Sequence, residues 1–341
     1  MSRSGLNRAT GLATATLVVS AEFPDSDILL NVLDRVTVFA HHRGFTHTFL
    51  GAPVLAALSL GLVWVFYRFW RRSWPKRGTG GGKPSLAPRW GMLYLYALLG
   101  SLSHILLDFS NNYGVRPLSP FNPRWYSWDI VYIVEPLILG ALLLALLAPW
   151  FGGLIAGEIG EKRPNFPGRT SAIAALVFIA LLWWVRDYNI RRALALMDSE
   201  QYQDQEGLRR NANPYMINPF HWHGVVETQD FFQAVEVDTL TGTVTADGAA
   251  LHKPEETAVT LAAKQSRLGR VYLDWAQFPY VEDQVLEGGQ HMVTLRDLRF
   301  SYPESRRSVL MVGVGVDARL KVTGEYVGAQ AIEQAMREEP K

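Results

Sequence analysis

Three short segments of this 341-residue chain collect side chains that can bind a cation. One is Pro24-Asp25-Ser26-Asp27 and the second is His41-His42-Arg43-Gly44-Phe45-Thr46-His47. The third runs from His104 and Asp108 through Asn111, Asn112 and Gly114 to Tyr126, Trp128 and Asp129. His104 and Asp108 stand at i and i+4, which puts both on one helix face about one turn apart. An imidazole nitrogen and a carboxylate oxygen so placed suit zinc, with manganese or iron as alternatives. The chain has no cysteine, so thiolate metal sites, thiol catalysis and disulfides are excluded and the ligand search narrows to His, Asp and Glu. Taken singly, each segment has an ordinary structural reading: a hydrogen-bonded histidine at a helix end, an aspartate turn or N-cap, a loop. Their convergence is what points to a divalent metal ion.

Convergence requires elements that bring them together. A bilayer core of ~30 Å needs about 20 apolar residues in a helix. Thr48–Tyr67, Trp90–Leu107, Ile130–Ala156 and Thr170–Val185 meet or approach this, which predicts four spanning helices. The Ile130–Ala156 run carries one charge, Glu135, before Pro136; the last run is followed by the polar Arg186-Asp187-Tyr188. Ala9–Ala21 is a shorter apolar run, read as a packed or re-entrant helix in preference to a signal peptide. Between the first two spans, Arg68–Arg89 is rich in Arg, Lys, Gly and Pro, so it reads as a non-helical loop on the cytoplasmic side. Lys162, Arg163 and Arg169 agree; Arg186, Arg191 and Arg192 weigh the other way. Two crossings then return residues 25–47 and 104–129 to one membrane face. The active-site face and everything after residue 188 are expected to be extracytoplasmic.

From about residue 200 the pattern changes. Val225–Glu227, Phe231–Asp238, Gln290–Leu298, Val309–Val316 and Leu320–Tyr326 are short, often alternating runs that predict strands, and Pro254–Arg267 predicts a helix. The expected fold class is an α-helical integral membrane domain over residues 1–192, with about four transmembrane helices plus a short N-terminal helix. A small soluble α+β domain with a mostly antiparallel sheet follows over residues 193–341. His221-Trp222-His223 has two histidines that share a strand face and could bind metal, although no carboxylate run accompanies them. Net charge is +1, which gives no reason to expect direct nucleic-acid binding.

At AEFPDSD, HHRGFTHTFL and SHILLDFSNNYGVRPLSPF, continuing to WYSWDIVYIVEP, the chain resembles the YdjM-like family of membrane-bound, metal-dependent hydrolases, also described as LexA-binding and associated with the bacterial inner membrane. The resemblance covers roughly residues 5–190. It implies Asp25, Asp27, His42, His47, His104 and Asp108 as the polar site. The order Asp27, His42, His104, Asp108 is also remotely similar to the zinc phospholipase C and P1 nuclease group, which implies phosphate-ester hydrolysis at a multi-metal site. One departure stands out. Family members open with a helix carrying a Thr-His pair, and Met1–Asn7 lacks that histidine. A truncated or misassigned start, with a ligand upstream, is the expectation that follows.

The expected division of labour places Asp27, His42, His104 and Asp108 on the metal. Asp25 and His47 serve a second metal or orient the first set, Arg43 grips an anionic substrate group or pairs with Asp25 or Asp129, and Asp129 or Glu135 is a general base. The expected activity is metal-assisted hydrolysis of a phosphate ester or other ester, on a lipid or envelope substrate. The alternative is a non-enzymatic membrane scaffold or regulator that binds a protein partner through its C-terminal domain. Four spans without a midplane charge array or inverted repeat disfavour a transporter.

Overall fold

A computed structural model describes residues 1–32, 34–73, 86–158, 168–302 and 310–338. In chain order the helices are α1 (Ala13–Glu22), α2 (Arg35–His41), α3 (Gly51–Ser73), α4 (Trp90–Ser110), α5 (Pro136–Glu158) and α6 (Arg169–Asp198). Strands β1 (Arg209–Pro214), β2 (His221–Glu227), β3 (Phe231–Asp238) and β4 (Thr243–His252) follow. Then come α7 (Ala258–Gln265), α8 (Arg267–Trp275), β5 (Pro279–Val285), β6 (His291–Asp297), β7 (Met311–Val316), β8 (Val322–Val327) and α9 (Ala329–Glu338). The chain divides into two compact units: residues 1–27 with 43–185, and residues 28–42 with 186–341. Residues 28–42 thus leave the first unit for the second, and the chain passes to the second unit again at residue 186.

Helices α3, α4 and α5 of the first unit, and α6, which begins there and ends in the second, are each long and apolar enough to cross a membrane. Their outward faces are apolar: Leu144 is 70% and Phe66 65% exposed, which suits lipid and not water. Small residues let α1 lie against α4. A Cβ on Gly100 would fall 2.0 Å from Ser20 Oγ, so only glycine permits this approach. The Ser101 hydroxyl donates to the Ser20 carbonyl at 3.2 Å and locks the pair. Because α1 is held this way, the chain that leaves it at Glu22 delivers Asp25 beside the last turns of α4.

The boundaries correct four expectations. The helix α3 continues through Arg68 to Ser73, so the basic stretch begins helical; residues 74–85 of that loop lie outside the described residues, as do Lys162 and Arg163. The third span starts at Pro136 and not at Ile130. Proline at the first helical position lacks an N–H that would be unsatisfied anyway, and it pushes Glu135 out of the helix. The helix α6 runs on through Arg186-Asp187-Tyr188 for 30 residues. Arg186 is fully buried there and both its terminal nitrogens donate to the Tyr215 carbonyl at 3.3 Å, so a charge that resembled a helix stop is an interior group held by a backbone carbonyl. The helix expected over Pro254–Arg267 begins at Ala258, capped by Thr257, and is followed by α8, capped by Ser266.

The second unit holds two antiparallel four-stranded sheets, β1-β2-β3-β4 and β5-β6-β7-β8. Strands β1, β4 and β5 escaped the sequence reading because their residues are mostly polar or exposed. Helices α7 and α8 cover the second sheet, and α2 joins them: Phe39 stacks on Tyr272 at 5.8 Å and meets Trp275 edge-on at 5.7 Å. Val225, Phe232, Phe278 and Leu298 form a core cluster. The ion pair of Asp297 and Arg299 is fully buried at 2.8 Å, with the guanidinium over the Trp275 ring. Such a pair specifies geometry more than it adds stability.

Candidate metal centre

In the first unit, Asp25, His47, His104 and Asp108 bring one ligand atom each to a common point. Each arrives by local chain logic. Asp25 sits in the 3₁₀ segment Phe23–Val32 that follows α1. His47 ends the turn Phe45–His47, which abuts the N-terminus of α3; a Cβ on Gly51 would lie 2.0 Å from the Phe45 carbonyl. Thr48 caps α3, its hydroxyl oxygen accepting from the Gly51 N–H at 2.7 Å. His104 and Asp108 lie on the last two turns of α4. The carbonyls of that helix end are taken up by the following loop: Trp128 N–H donates to Phe109 at 2.7 Å, and Ile130 and Val131 N–H both donate to Ser110 at 3.1 Å.

The distances are those of a tetrahedron of donors. His47 Nε2 lies 3.2 Å from His104 Nε2, 3.4 Å from Asp25 Oδ1 and 3.1 Å from Asp108 Oδ2. His104 Nε2 lies 3.3 Å from Asp25 Oδ1 and 3.4 Å from Asp108 Oδ2. The two carboxylate oxygens lie within 4.8 Å of each other. Four-coordinate zinc with bonds of ~2.0–2.1 Å needs donors about 3.3–3.4 Å apart. Five of the six edges therefore fit a single ion.

Hydrogen bonds around the group say which atoms carry protons. Asp27 Oδ2 accepts from the Thr46 hydroxyl at 3.2 Å and from the Arg43 N–H at 2.9 Å. A carboxylate only accepts, so the Thr46 proton is committed to it, and Thr46 Oγ1 must accept from His47 Nδ1 at 2.9 Å. His47 then presents an unprotonated Nε2 to the other three donors. Asp108 is fixed similarly. Its Oδ1 pairs with Arg43 Nη2 at 3.0 Å, while its Oδ2 is buried with no hydrogen bond and faces the two imidazoles. The buried lone pair of His47 Nε2, facing the Asp25 and Asp108 carboxylate oxygens, is costly unless a cation lies between them.

The structure thus distributes the expected residues differently. His104 and Asp108 are in the group of four, joined by Asp25 and His47. Asp27 stands one bond outward and orients His47 through Thr46. His42 falls in the second compact unit and is not one of the four. Arg43 has both terminal nitrogens engaged, with Asp108 and with Asn111 Oδ1 and the Gly114 carbonyl at 3.1 Å, and its guanidinium lies 4.6 Å over the Tyr113 ring. These contacts hold Arg43 against Asp108 and the Asn111–Gly114 turn. Its backbone is left-handed, φ 56°, a strain of about 1–3 kcal/mol that the surrounding bonds offset. Asp129 is buried, also left-handed at φ 56°, and stands outside the four. Asn111 closes the turn by accepting from Tyr113 N–H at 2.9 Å and Gly114 N–H at 3.3 Å. The orienting role of Thr46 went unread, although a hydroxyl beside a candidate ligand is a signal for one.

The chain is 26% identical over 145 residues to the uncharacterized protein YfhP of Bacillus subtilis (strain 168), covering 42% of this chain and 38% of that protein. No solved structure matches. Residues 2–193, which contain the four donors and all four long apolar helices up to residue 193, match the YdjM inner membrane protein family, and the chain belongs to that family.

Proposed function

We propose that the chain is a membrane-bound, metal-dependent hydrolase whose centre is Asp25, His47, His104 and Asp108. One observation carries the reading: an unprotonated imidazole nitrogen, a second imidazole and two carboxylate oxygens meet at tetrahedral spacing, with an Asp-Thr-His relay fixing the tautomer. The donor set suits zinc first, then manganese or iron. When bound, such an ion supplies a water whose pKa falls from 15.7 toward ~7. The protein residues hold and orient. Arg43 keeps one Asp108 oxygen turned inward by binding the other, and Asp27 keeps the His47 lone pair aimed at the centre. Asp25 is half-exposed, so substrate and water reach the group on its side. A position at the mouth of a spanning helix favours an ester carried by a lipid or envelope molecule, and a phosphate ester suits the charge of the site. The basic residues after the first span favour an extracytoplasmic centre and C-terminal unit; reporters fused at residue 80 and at the C-terminus should lie on opposite sides.

The test is hydrolysis by the purified full-length chain of a panel of phosphomonoester, phosphodiester and carboxylic-ester lipids in mixed micelles. Activity should require added zinc or manganese and fall at least about 100-fold in His104→Ala plus Asp108→Ala, a larger loss than removing an orienting group. Metal-loaded protein inert toward the whole panel, or turnover unchanged in the double variant, refutes the reading.

A further inference from the structure

A second group of metal-capable side chains lies in the C-terminal unit, on one face of the first sheet. His223 on β2 and Glu236 on β3 are directly paired across the strands, and Asp247 on β4 pairs with Ala234, one same-face position along. Their ligand atoms lie within 4.8 Å of one another. His223 is fully buried. Its Nε2 lies 3.2 Å from the Leu298 carbonyl, which can only accept, so Nε2 carries the proton. In the neutral ring Nδ1 is then a lone pair. That atom is buried, makes no hydrogen bond, and faces Glu236 Oε1 at 3.7 Å.

Two acceptors left facing each other in a buried place need a positive charge between them. Among the described residues, the contacts to Glu236 come from a phenol and an imidazole. Glu236 is met by the Tyr215 hydroxyl at 2.5 Å and by His221 Nε2 at 2.8 Å, and these contacts fix its rotamer. Both are compatible with an ion on the inner side. A histidine nitrogen held by a backbone carbonyl, plus two carboxylates, is a ligand set for a first-row divalent cation.

We infer that His223, Glu236 and Asp247 form a second divalent-cation site, independent of the membrane centre and contained in the C-terminal unit. The three strands that carry the donors are adjacent, so an ion there would cross-link β2, β3 and β4.

The experiment is equilibrium dialysis with Zn²⁺ on the full-length protein in detergent, comparing four chains: unsubstituted, His104→Ala plus Asp108→Ala, Asp247→Asn, and Glu236→Gln. The His104→Ala plus Asp108→Ala chain should retain one equivalent. Asp247→Asn and Glu236→Gln, each made in the unsubstituted chain, should lose one equivalent or weaken it by at least about 10-fold. Glu236→Gln keeps an oxygen for Tyr215, so its fold should survive. Zinc binding by Asp247→Asn and Glu236→Gln equal to the unsubstituted chain overturns the inference. So does a His104→Ala plus Asp108→Ala chain that keeps its thermal transition and binds no zinc; His223 is then simply protonated against Glu236.

Discussion

The two compact units gather polar donors by opposite means. In the membrane unit, ligands from three separate segments meet because helices pack closely through small residues such as Gly100 and Ser20. In the C-terminal unit, His223, Glu236 and Asp247 meet because neighbouring strands hydrogen-bond in a fixed register. Helix packing tolerates little change at the contact, since a methyl group there meets another side chain. A ladder spreads its constraint over many backbone bonds. Perturbing packing should therefore disturb the first centre from a distance, whereas the second should respond only to its own side chains.

The largest effect expected short of removing a ligand comes from Arg43→Gln. Without the guanidinium, Asp108 Oδ1 loses its 3.0 Å partner and the carboxylate is free to rotate. Zinc affinity of the membrane centre should fall about 10–100-fold, with Arg43→Lys little better because it lacks the planar fork that reaches Asp108 and Asn111 together. Dialysis measures it, and unchanged affinity would sever Arg43 from the site. Next comes Gly100→Val. Overpacking the contact between α1 and α4 should cost about 1–3 kcal/mol in thermal unfolding and weaken zinc at the membrane centre while leaving any C-terminal zinc unchanged. Loss of both together would erase the contrast between the units.

Smaller effects belong to the second unit. Thr257 caps α7 by accepting from the Thr260 N–H at 3.1 Å. Thr257→Ala should cost about 1 kcal/mol, seen as roughly 5-fold faster hydrogen exchange over residues 258–265 with zinc affinity unaltered. The smallest is a pH effect at Glu227. Burial pushes its carboxyl up, but Lys253 at 2.9 Å and Arg209 at 2.5 Å outweigh that and hold it below its ordinary 4.5. A carboxyl depressed in the folded state stabilises above the unfolded value and loses that contribution as pH falls through the folded one. Denaturation of the second unit should become easier below pH 4.5, and Glu227→Gln should flatten that acid limb.

Much of the membrane unit was legible in the sequence, for reasons that are local. Four long apolar runs can do little else than span, and the i,i+4 spacing of His104 and Asp108 survives any helix packing. The choice within each remaining pair was not legible. Asp25 against Asp27 and His47 against His42 depends on how a 3₁₀ segment and a tight turn rotate successive side chains, and no periodicity reports that. The start of α5 at Pro136 was readable from that proline although the apolar run begins at Ile130, whereas the continuation of α6 past Arg186 depends on a distant carbonyl at Tyr215. In the second unit His221-Trp222-His223 was visible, but its carboxylates stand 13 and 24 positions beyond His223, at 236 and 247, and strand register alone brings them back.

The most direct measurement is the zinc content of two single variants of the full-length protein, His47→Ala and His42→Ala, each purified folded and compared with the unsubstituted chain. If the centre is built from Asp25, His47, His104 and Asp108, His47→Ala loses the equivalent held there and His42→Ala keeps it. Retention by His47→Ala with loss by His42→Ala would contradict the assignment and return the site to the other histidine.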